Sequence, residues 1–352
     1  MLYSAPFPLS IDQIDESFLS EGLNQNIGRF SYQRIGADRG MLGEIFQITI
    51  ESDTGTRDIV AKFSSQRKEA LENSKRGGNH ERELRCYDEL LSETPISFPE
   101  IYCCWFDAES SEYLLLQEFI EFDQNVDQIN GITVQQSKLV ISEAAKMHAY
   151  WWENERLELL GWLPRLTDAR RRTNLTTVTK MGWEPLTEIL EERQIQFPEI
   201  SGEHLAEKID HMLNTVADFP STLIHSDLRA DNLLFDSTGE GVTVVDWQGC
   251  SFAPSSFDIT YHLIQSLSIP DRRKYETELL EHYITCLRSS GLQVDGNEIY
   301  DIYKKSILYS LSIACAIPLI NDIEIPRVKD LAFSMATRTL AGLEDHNITL
   351  TE

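Results

Sequence analysis

The sequence predicts an α+β protein of two lobes, the first built on five antiparallel strands and the second mostly helical. Between Phe30 and about Phe119, short runs of apolar residues alternate with polar ones, as in half-buried strands. After Phe119 the apolar residues recur at helical spacing. The apolar fraction of 41% is enough to form sizeable cores. We therefore expect one lobe in residues 1–119 and the other in residues 120–352.

The first lobe should contain strands at 30–35, 45–50, 57–63, 101–107 and 113–119. Asp53, Thr54 and Gly55 form a turn between the second and third of these strands. A short surface helix is expected within residues 1–27, and a second helix over residues 77–91. Residues 67–76 have mixed charge and no motif, which predicts a mobile connection.

The second lobe is expected to be built from helices at 133–155, 183–193, 202–217, 259–267, 272–289, 297–316 and 326–343. The longest uncharged run, residues 306–321, is too short for a membrane span and contains Pro318. It predicts a buried helix. His204 and His211 could share a helix face, but no third ligand follows the pattern, so no metal is assigned to them.

The charge of the chain indicates which kinds of partner it can bind. The sequence has 57 acidic and 31 basic residues, a formal charge of −26. Binding of nucleic acid needs a basic face, so a nucleic-acid partner is not expected. A small cationic or uncharged substrate is easier to accommodate.

The cysteines and the N-terminus indicate a cytoplasmic protein. The six cysteines, at positions 86, 103, 104, 250, 286 and 315, form no C-x-x-C pair. This spacing favours reduced thiols over a zinc site or a disulfide framework. The first 18 residues lack a basic region followed by an apolar core, so a secretory signal is not expected.

The stretch 222–249 carries the strongest chemical signal. Two short apolar runs, Leu233–Phe235 and Val242–Val245, flank a polar, glycine-containing turn, which predicts a hairpin. Its strands would bring Asp246 back towards Asp227 and Asn232. A cluster of two carboxylates and an amide suits Mg²⁺, which prefers oxygen ligands.

This pattern, H-x-D-x4-N followed by Asp246-Trp247-Gln248, resembles the catalytic and metal-binding segments of the protein-kinase-like superfamily. It is most similar to aminoglycoside phosphotransferases and choline kinases. The resemblance implies that Asp227 orients the substrate hydroxyl and accepts its proton, and that Asn232 and Asp246 hold Mg²⁺ on the nucleotide. His225 would be architectural. The alternative reading of the stretch is an ordinary buried hairpin with polar ends.

Two features of the first lobe fit the same resemblance. Gly36, Gly40 and Gly43 punctuate a turn between the first two expected strands, where backbone N–H groups could approach phosphate oxygens. The turn does not match G-x-G-x-x-G, and a plain hairpin turn is the alternative. One strand later, Val60-Ala61-Lys62 resembles the V-A-x-K strand whose lysine reaches the α and β phosphates. A solvated lysine is the alternative there.

The resemblance also implies a carboxylate partner for Lys62 and a strand that binds adenine. Glu83 with Tyr87 matches the E-x3-Y pattern, with Glu81 as the rival and a solvated helical glutamate as the alternative. The strand ending in Gln117, Glu118 and Phe119 resembles the one that enters the kinase hinge, so its backbone would bind the adenine edge.

The later helices narrow the family further. The run A-A-K-M-H-A-Y-W-W, followed by G-W-L-P, is similar to the ecdysteroid-kinase-like branch, whose members phosphorylate alcohols of small, often lipophilic molecules. His148, in this run, is expected to be a core histidine. Asp258 matches the aspartate that braces the catalytic loop. Arg170–Arg172 is either a site for anions or, as we favour, a solvated face.

Together these residues predict a two-lobed protein-kinase-like fold and a small-molecule kinase. It would transfer the γ-phosphoryl group of ATP or GTP, with Mg²⁺, to a hydroxyl of a small uncharged or cationic substrate. The tryptophans Trp151, Trp152 and Trp162 suggest that this substrate has apolar bulk. The alternatives are a nucleotide-binding pseudokinase that acts as a scaffold, and a binding protein for a lipophilic ligand.

Overall fold

A computed structural model gives the structure of the chain and describes residues 2–3, 6–36, 43–122, 126–166, 168–321 and 323–350. Contacts between residues divide the chain into two units. The first unit is formed by Met1–Glu93, Ser97–Glu121 and Thr243–Gly249. The second is formed by Thr94–Ile96, Phe122–Val242 and Cys250–Glu352.

The first unit is organised around one sheet, whose strands lie in the order β1-β5-β6-β4-β3-β2. These strands are β1 (Leu2–Tyr3), β2 (Ile27–Ile35), β3 (Gly43–Ser52), β4 (Gly55–Ser64), β5 (Ile101–Phe106) and β6 (Tyr113–Glu118). The pairings among β2 to β6 are antiparallel, which confirms the five predicted strands. The two-residue β1 pairs in parallel with β5 and was not predicted from the sequence.

Alternation along the strands builds the core of this unit. In β3, Phe46, Ile48 and Ile50 are buried at every second position. In β4 every residue from 59 to 64 is buried, and Ile59 and Ala61 lie opposite Ile48 and Phe46 in the sheet. Because successive side chains in a strand point to opposite faces, these residues share one face of the sheet. Helix α1 (Glu16–Leu23) packs against β2 and β5.

Helix α2 (Lys68–Gly77) occupies the segment for which the sequence predicted a mobile connection, so that prediction is wrong. Ala70 and Ser74, one turn apart, are buried, and small side chains of this kind give no apolar periodicity to read. Gly78 ends the helix in the left-handed region, at φ 66°, where glycine is favoured. Helix α3 (Asn79–Glu89) follows directly and lies within the predicted range 77–91.

The second unit is mostly helical, as the sequence predicts. Its helices are α4 (Val134–Tyr150), α5 (Glu155–Glu158), α6 (Ala169–Glu192), α7 (Gly202–Val216), α8 (Ser256–Ser266), α9 (Ile269–Ser289), α10 (Gly296–Ile320) and α11 (Pro326–Asp345). None of the helices in the described ranges is long and apolar enough to cross a lipid bilayer. Strands β7 (Ser221–Ile224) and β10 (Ser251–Pro254) pair antiparallel, while β8 (Leu233–Phe235) and β9 (Val242–Val244) are the strands of the predicted hairpin.

Helix α10 lies at the centre of this unit and packs against α6, α8 and α11. The backbones of α6 and α10 are close at Gly182, where an added Cβ would lie 1.9 Å from the carbonyl oxygen of Cys315. Only glycine fits this crossing. The buried part of α10 includes the uncharged run that the sequence predicted as a buried helix.

Two helices of the second unit differ most from their predicted bounds. Helix α4 stops at Tyr150 because Trp151 leaves helical geometry and Glu153 has a φ of 47°. Helix α6 begins at Ala169, well before the predicted start at 183, and continues through Pro185. Burial of Thr179, Trp183 and other residues on one side of α6 sustains the helix despite the proline.

Candidate active site

The loop 225–232 follows strand β7 and ends in a short 3-10 turn at Ala230–Asn232 before β8. It is held by Asp258, in the first turn of α8, whose side chain is completely buried. Asp258 Oδ2 accepts the backbone N–H of His225 and Oδ1 accepts that of Ser226, both at 2.7 Å. These bonds hold Ser226 at φ 67°, a region that non-glycine residues rarely occupy. The contacts are those of the predicted brace.

Within this loop, Asn232 lies directly against Asp227. The Nδ2 of Asn232 donates to the backbone oxygen of Asp227 at 2.8 Å and to its carboxylate Oδ2 at 2.9 Å. Both amide hydrogens of Asn232 are thereby used within the loop, which leaves Oδ1 as the atom able to bind a cation. The structure therefore brings together the predicted proton acceptor and one predicted metal ligand.

Arg229 is a functional candidate that the sequence analysis did not assign. Its Nε donates to Asp227 Oδ1 at 3.1 Å, and its Nη1 donates to Asp231 Oδ2 at 2.9 Å. Arg229 thus joins the two carboxylates of the loop. The only sequence signal was its position two residues after Asp227, inside the motif.

Two tyrosine hydroxyls are buried beside the same loop. The hydroxyl of Tyr309 donates to the backbone oxygen of Ser226 at 3.2 Å. Burial raises the pKa of Tyr309 to about 12. Burial also raises the pKa of Tyr261 well above its usual value, and the charge of Asp227 adds to the effect. Both tyrosines therefore stay protonated at neutral pH.

His148 is completely buried in α4. Its Nδ1 lies 2.8 Å from the Tyr283 hydroxyl, and its Nε2 lies 3.3 Å from Asp258 Oδ2. These contacts make it a core histidine that supports the brace, as the sequence analysis expected.

In the first unit, Lys62 on β4 forms a buried ion pair with Glu83 on α3. The distances from Lys62 Nζ to the two carboxylate oxygens of Glu83 are 2.7 and 2.9 Å. Glu81, the rival, lies on another face of α3, where it pairs with Arg85 at 3.4 Å. The partner of Lys62 is therefore Glu83.

Asp246 belongs to the same cluster, because the segment 243–249 is part of the first unit. Its Oδ1 accepts Lys62 Nζ at 2.8 Å, and its Oδ2 accepts Gln248 Nε2 at 3.2 Å. The backbone of Asp246 has a φ of 67°, which is unusual for a residue with a side chain. Strain of this kind is concentrated at functional sites.

The charges of this cluster depend on one another. Burial opposes the charge of Lys62, but the carboxylates of Asp246 and Glu83 outweigh that effect and raise the pKa of Lys62 well above its usual value. Burial raises the pKa of Glu83, although the Lys62 ammonium opposes the increase. Lys62 is therefore a permanent cation at neutral pH, placed to bind an anion.

The predicted phosphate loop is only partly described. Gly40 lies outside the described residues. Gly36 has a φ of 68°, and a Cβ added at Gly43 would lie 2.5 Å from the carbonyl oxygen of Phe63, so both positions require glycine for backbone reasons. Contact of this loop with phosphate stays a prediction.

The predicted adenine-binding strand ends where β6 ends. Gln117 pairs with Val60 on one side and Ile101 on the other, so its backbone belongs to the sheet. The N–H of Glu118 donates to Glu100 O at 2.8 Å. A backbone donor for adenine from this stretch would therefore be at Phe119 or beyond it.

Each unit carries one oxygen donor of the kind that Mg²⁺ prefers: the carboxylate of Asp246 in the first unit and the amide oxygen of Asn232 in the second. Mg²⁺ usually keeps several waters and shares substrate phosphates, so it needs few protein ligands. Binding of Mg²⁺ by Asn232 and Asp246 stays a prediction.

Two other sequence hypotheses can now be compared with the structure. In the basic run, Arg172 pairs with the acidic neighbour Asp210 and donates to Asn214 Oδ1 at 2.7 Å, while a solvated face for the run as a whole stays a prediction. Trp151 is buried, with its indole N–H donating to Thr94 Oγ1 at 2.9 Å. Trp151 therefore belongs to the core and does not line an open substrate pocket.

Solved structures with the same fold include three small-molecule phosphotransferases. The chain is similar to an ethanolamine kinase of Plasmodium vivax, with a TM-score of 0.56, 14% identity, and coverage of 88% of this chain and 82% of that one. A choline kinase of Cryptosporidium parvum Iowa II gives 0.55 and 13%, with 96% and 93% covered. A type I macrolide 2'-phosphotransferase gives 0.53 and 15%, with 92% and 97% covered. These similarities confirm the predicted protein-kinase-like fold.

Sequence comparison identifies the family. Over 103 residues the chain is 36% identical to the uncharacterized kinase-like protein D1044.1 of Caenorhabditis elegans, a match that spans 26% of this chain and 27% of that protein. The sequence model of the ecdysteroid kinase-like family matches residues 39–294, well over half of the chain. The matched range includes Lys62, Glu83, the loop 225–232 and Asp246. The chain therefore belongs to the ecdysteroid kinase-like family.

Proposed function

We propose that the protein is a phosphotransferase that moves the γ-phosphoryl group of ATP or GTP to a hydroxyl of a small molecule. The observation that carries this proposal is the pairing of Asp227 with Asn232 in a loop braced by Asp258. The pairing places a proton acceptor beside an amide oxygen able to bind a cation, which is what in-line transfer to an alcohol requires.

Each polar residue of the two clusters has a role in this reaction. Asp227 would orient the acceptor hydroxyl and take its proton, while Arg229 fixes the carboxylate through Oδ1. Lys62, oriented by Glu83, would bind nucleotide phosphates. Asn232 and Asp246 would hold Mg²⁺, which supplies neutralisation of phosphate charge when it is bound.

The two ion pairs of Lys62 have one consequence for binding. Lys62 is bonded to both Glu83 and Asp246, so the ammonium that would meet phosphate also neutralises a proposed metal ligand. A phosphate group that replaced Asp246 on Lys62 would leave the Asp246 carboxylate without its cation, unless a divalent cation bound to Asp246 at the same time. We therefore expect nucleotide and metal to bind cooperatively.

The acceptor is proposed to be uncharged or cationic. The motivation is the formal charge of −26, which disfavours a polyanionic substrate near the protein. The structurally similar proteins are named for ethanolamine, choline and macrolides, and the family for ecdysteroids. Amino alcohols and polyhydroxylated apolar molecules are therefore the acceptor classes to test first.

The test combines a binding assay with a transfer assay. MgATP or MgGTP should raise the melting temperature, and the same nucleotide with a chelator should raise it much less. Release of labelled phosphate to acceptors from the two classes would then identify transfer. If neither nucleotide changes the melting temperature, the proposal is wrong. Binding of nucleotide without transfer to any alcohol would favour the pseudokinase alternative.

A further inference from the structure

The segment 126–132 in the second unit is docked against helices α8 and α11 by buried polar contacts. The C-terminal carbonyls of a helix have no partners inside the helix and must find them elsewhere. At the end of α8, the oxygen of Gln265 accepts Gln128 Nε2 at 2.6 Å, and the oxygen of Ser266 accepts the N–H of Ile132 at 2.8 Å. The segment thus completes the end of α8.

Arg338 on α11 holds the same segment from the other side. Its Nη1 donates to Gln128 O at 2.7 Å and also to Gln265 O, and its Nη2 donates to Ile129 O at 2.9 Å. The residue is 7% exposed, and burial lowers its pKa to about 10, so the guanidinium stays charged at neutral pH. Because Arg338 is buried and donates to three backbone carbonyls, it fixes the position of this segment.

Gln128 connects this docked segment to the catalytic loop. Its side-chain Oε1 accepts the N–H of Ala230 at 3.0 Å, and its own N–H donates to Asp231 Oδ1 at 2.9 Å. Gln128 is fully buried, and all four of its hydrogen-bonding groups are satisfied by the loop, by α8 or by Arg338. The other oxygen of Asp231 accepts Arg229, which in turn bonds Asp227.

We propose that Gln128, held in place by Arg338, is a positioning residue that fixes the catalytic loop and, through Asp231 and Arg229, the carboxylate of Asp227. None of the sequence motifs points to either residue, because each acts through backbone groups. The expected effect of Gln128 on kcat rests on the proposed function, whereas its expected effect on the order of the loop does not.

The first experiment compares Gln128→Leu with Thr339→Val. The leucine variant keeps the bulk of the side chain but removes the acceptor for Ala230 and the donor to Gln265. Thr339 follows Arg338 on α11 and is as fully buried as Gln128. Its hydroxyl bonds Met335 O and the Gln265 side chain. The threonine variant therefore perturbs the same helix without touching the segment or the loop.

Two readouts are measured on the full chain after thermal unfolding has shown that each variant folds. Hydrogen exchange of the Ala230 amide should become at least about fivefold faster in Gln128→Leu, because a hydrogen bond worth about 1 kcal/mol or more is lost. The kcat for MgATP hydrolysis, with water as acceptor, should fall about 10- to 100-fold, while KM for MgATP stays within about twofold. Thr339→Val should match the parent in both the exchange rate of the Ala230 amide and kcat.

A second pair of variants covers the case in which loss of the arginine prevents folding. Arg338→Met removes all three carbonyl contacts, whereas Arg338→Lys keeps a cationic donor at the same place. We expect loop protection and kcat to decrease in the order parent, Arg338→Lys, Arg338→Met. If only the lysine variant folds, an intermediate loss in both readouts is the expected result.

The inference is overturned if Gln128→Leu leaves both exchange and kcat within about twofold of the parent, or if Thr339→Val shows the same losses. A parent protein that binds MgATP but transfers its γ-phosphoryl group neither to water nor to any alcohol tried would count against the proposed function alone. In that case the exchange of Ala230 still decides whether Gln128 orders the loop.

Discussion

Lys62 is the residue on which the first unit's cluster depends. Its side chain is 11% exposed and bonds two carboxylates, of which Glu83 is 1% exposed. Removing one partner of a buried pair is strongly destabilising, because the other charge is left without compensation. The effect of a Lys62 variant on stability must therefore be separated from its effect on phosphate binding.

We predict that Lys62→Met abolishes MgATP-induced stabilisation and also lowers the free energy of unfolding by about 3–5 kcal/mol. Adding Glu83→Gln should recover part of that stability, because it removes the unpaired carboxylate, but should not restore nucleotide binding. Urea denaturation of the parent, both single variants and the double variant gives the coupling energy, expected at about 1–3 kcal/mol. Additive effects, or a Lys62→Met variant that binds MgATP normally, would show that the wrong lysine was chosen.

At the scale of single residues, the order of the motifs along the sequence predicted that Lys62 pairs with a glutamate of the following helix. The choice between Glu83 and Glu81 needed the structure. Two residues on adjoining faces of one helix cannot be separated by periodicity alone when both faces carry charge. The structure decides because the face with Glu83, Leu84 and Tyr87 is buried. Arg229 and Gln128 could not be assigned, since their roles depend on contacts with residues distant in the sequence.

At the scale of elements, helix α8 supports the loop 225–232 through its first turns. Asp258 accepts two loop N–H groups, and His262 lies one turn later, with Nε2 at 2.9 Å from Ser137 Oγ and Nδ1 at 3.3 Å from Leu228 O. The loop is therefore attached to a fully buried helix at several points along its length.

Asp258→Asn should loosen this attachment. An asparagine side chain has one acceptor oxygen, so at least one of the two loop N–H groups loses its partner. We expect a loss of about 1–3 kcal/mol in the free energy of unfolding together with a reduced kcat. The exposed Asp301→Asn, measured by urea denaturation beside it, should stay within about 0.5 kcal/mol of the parent. Equal behaviour of the two variants would contradict the brace.

His262 gives the fold a defined sensitivity to acid. Burial lowers the pKa of His262 to about 4, and burial has the same effect on His80 in the first unit. In the unfolded chain a histidine titrates near 6.5, so between about pH 6.5 and 4 the unfolded state binds more protons. Stability should therefore fall as the pH falls through that window, by up to about 1.4 kcal/mol per pH unit for each histidine.

His262→Gln should remove one of these contributions. The slope of unfolding free energy against pH, measured between pH 6.5 and 4.5, should become shallower than in the parent, while the exposed His211→Gln should leave it unchanged. A variant slope equal to that of the parent would mean that His262 is protonated in the folded protein.

The elements themselves show where sequence patterns are sufficient. The five antiparallel strands and helices α9, α10 and α11 were predicted because apolar spacing follows burial on one face. Helix α2 was missed because its buried face carries Ala70 and Ser74, which give no apolar signal. The predicted helix in this region was shorter than α6, because the first turns of α6 are polar. Contacts such as that of Arg172 with Asp210 hold these turns.

At the scale of the whole molecule, each unit carries its own cluster of candidate residues. Lys62, Glu83 and Asp246 belong to the first, and Asp227 and Asn232 belong to the second. The sequence predicted the hairpin that carries Asp246, but not that residues 243–249 group with the first unit, because that grouping arises from contacts with residues far away in the chain. Membership of the ecdysteroid kinase-like family agrees with this arrangement of motifs.

The central claim is that Asp227 acts in the chemistry while Asp246 acts on the metal, and the two asparagine variants separate these roles. Asp227→Asn keeps the size of the side chain and removes the proton acceptor. Asp246→Asn weakens a proposed metal ligand, so it should reduce Mg²⁺-dependent nucleotide binding as well as turnover.

The most direct test is the kcat of Asp227→Asn for γ-phosphoryl transfer to the best acceptor that the parent uses, with MgATP-induced thermal stabilisation measured on the same sample. We predict that the stabilisation is retained and that kcat falls by about 10²- to 10⁴-fold. A kcat close to that of the parent would contradict the assignment of the loop 225–232 as the catalytic centre.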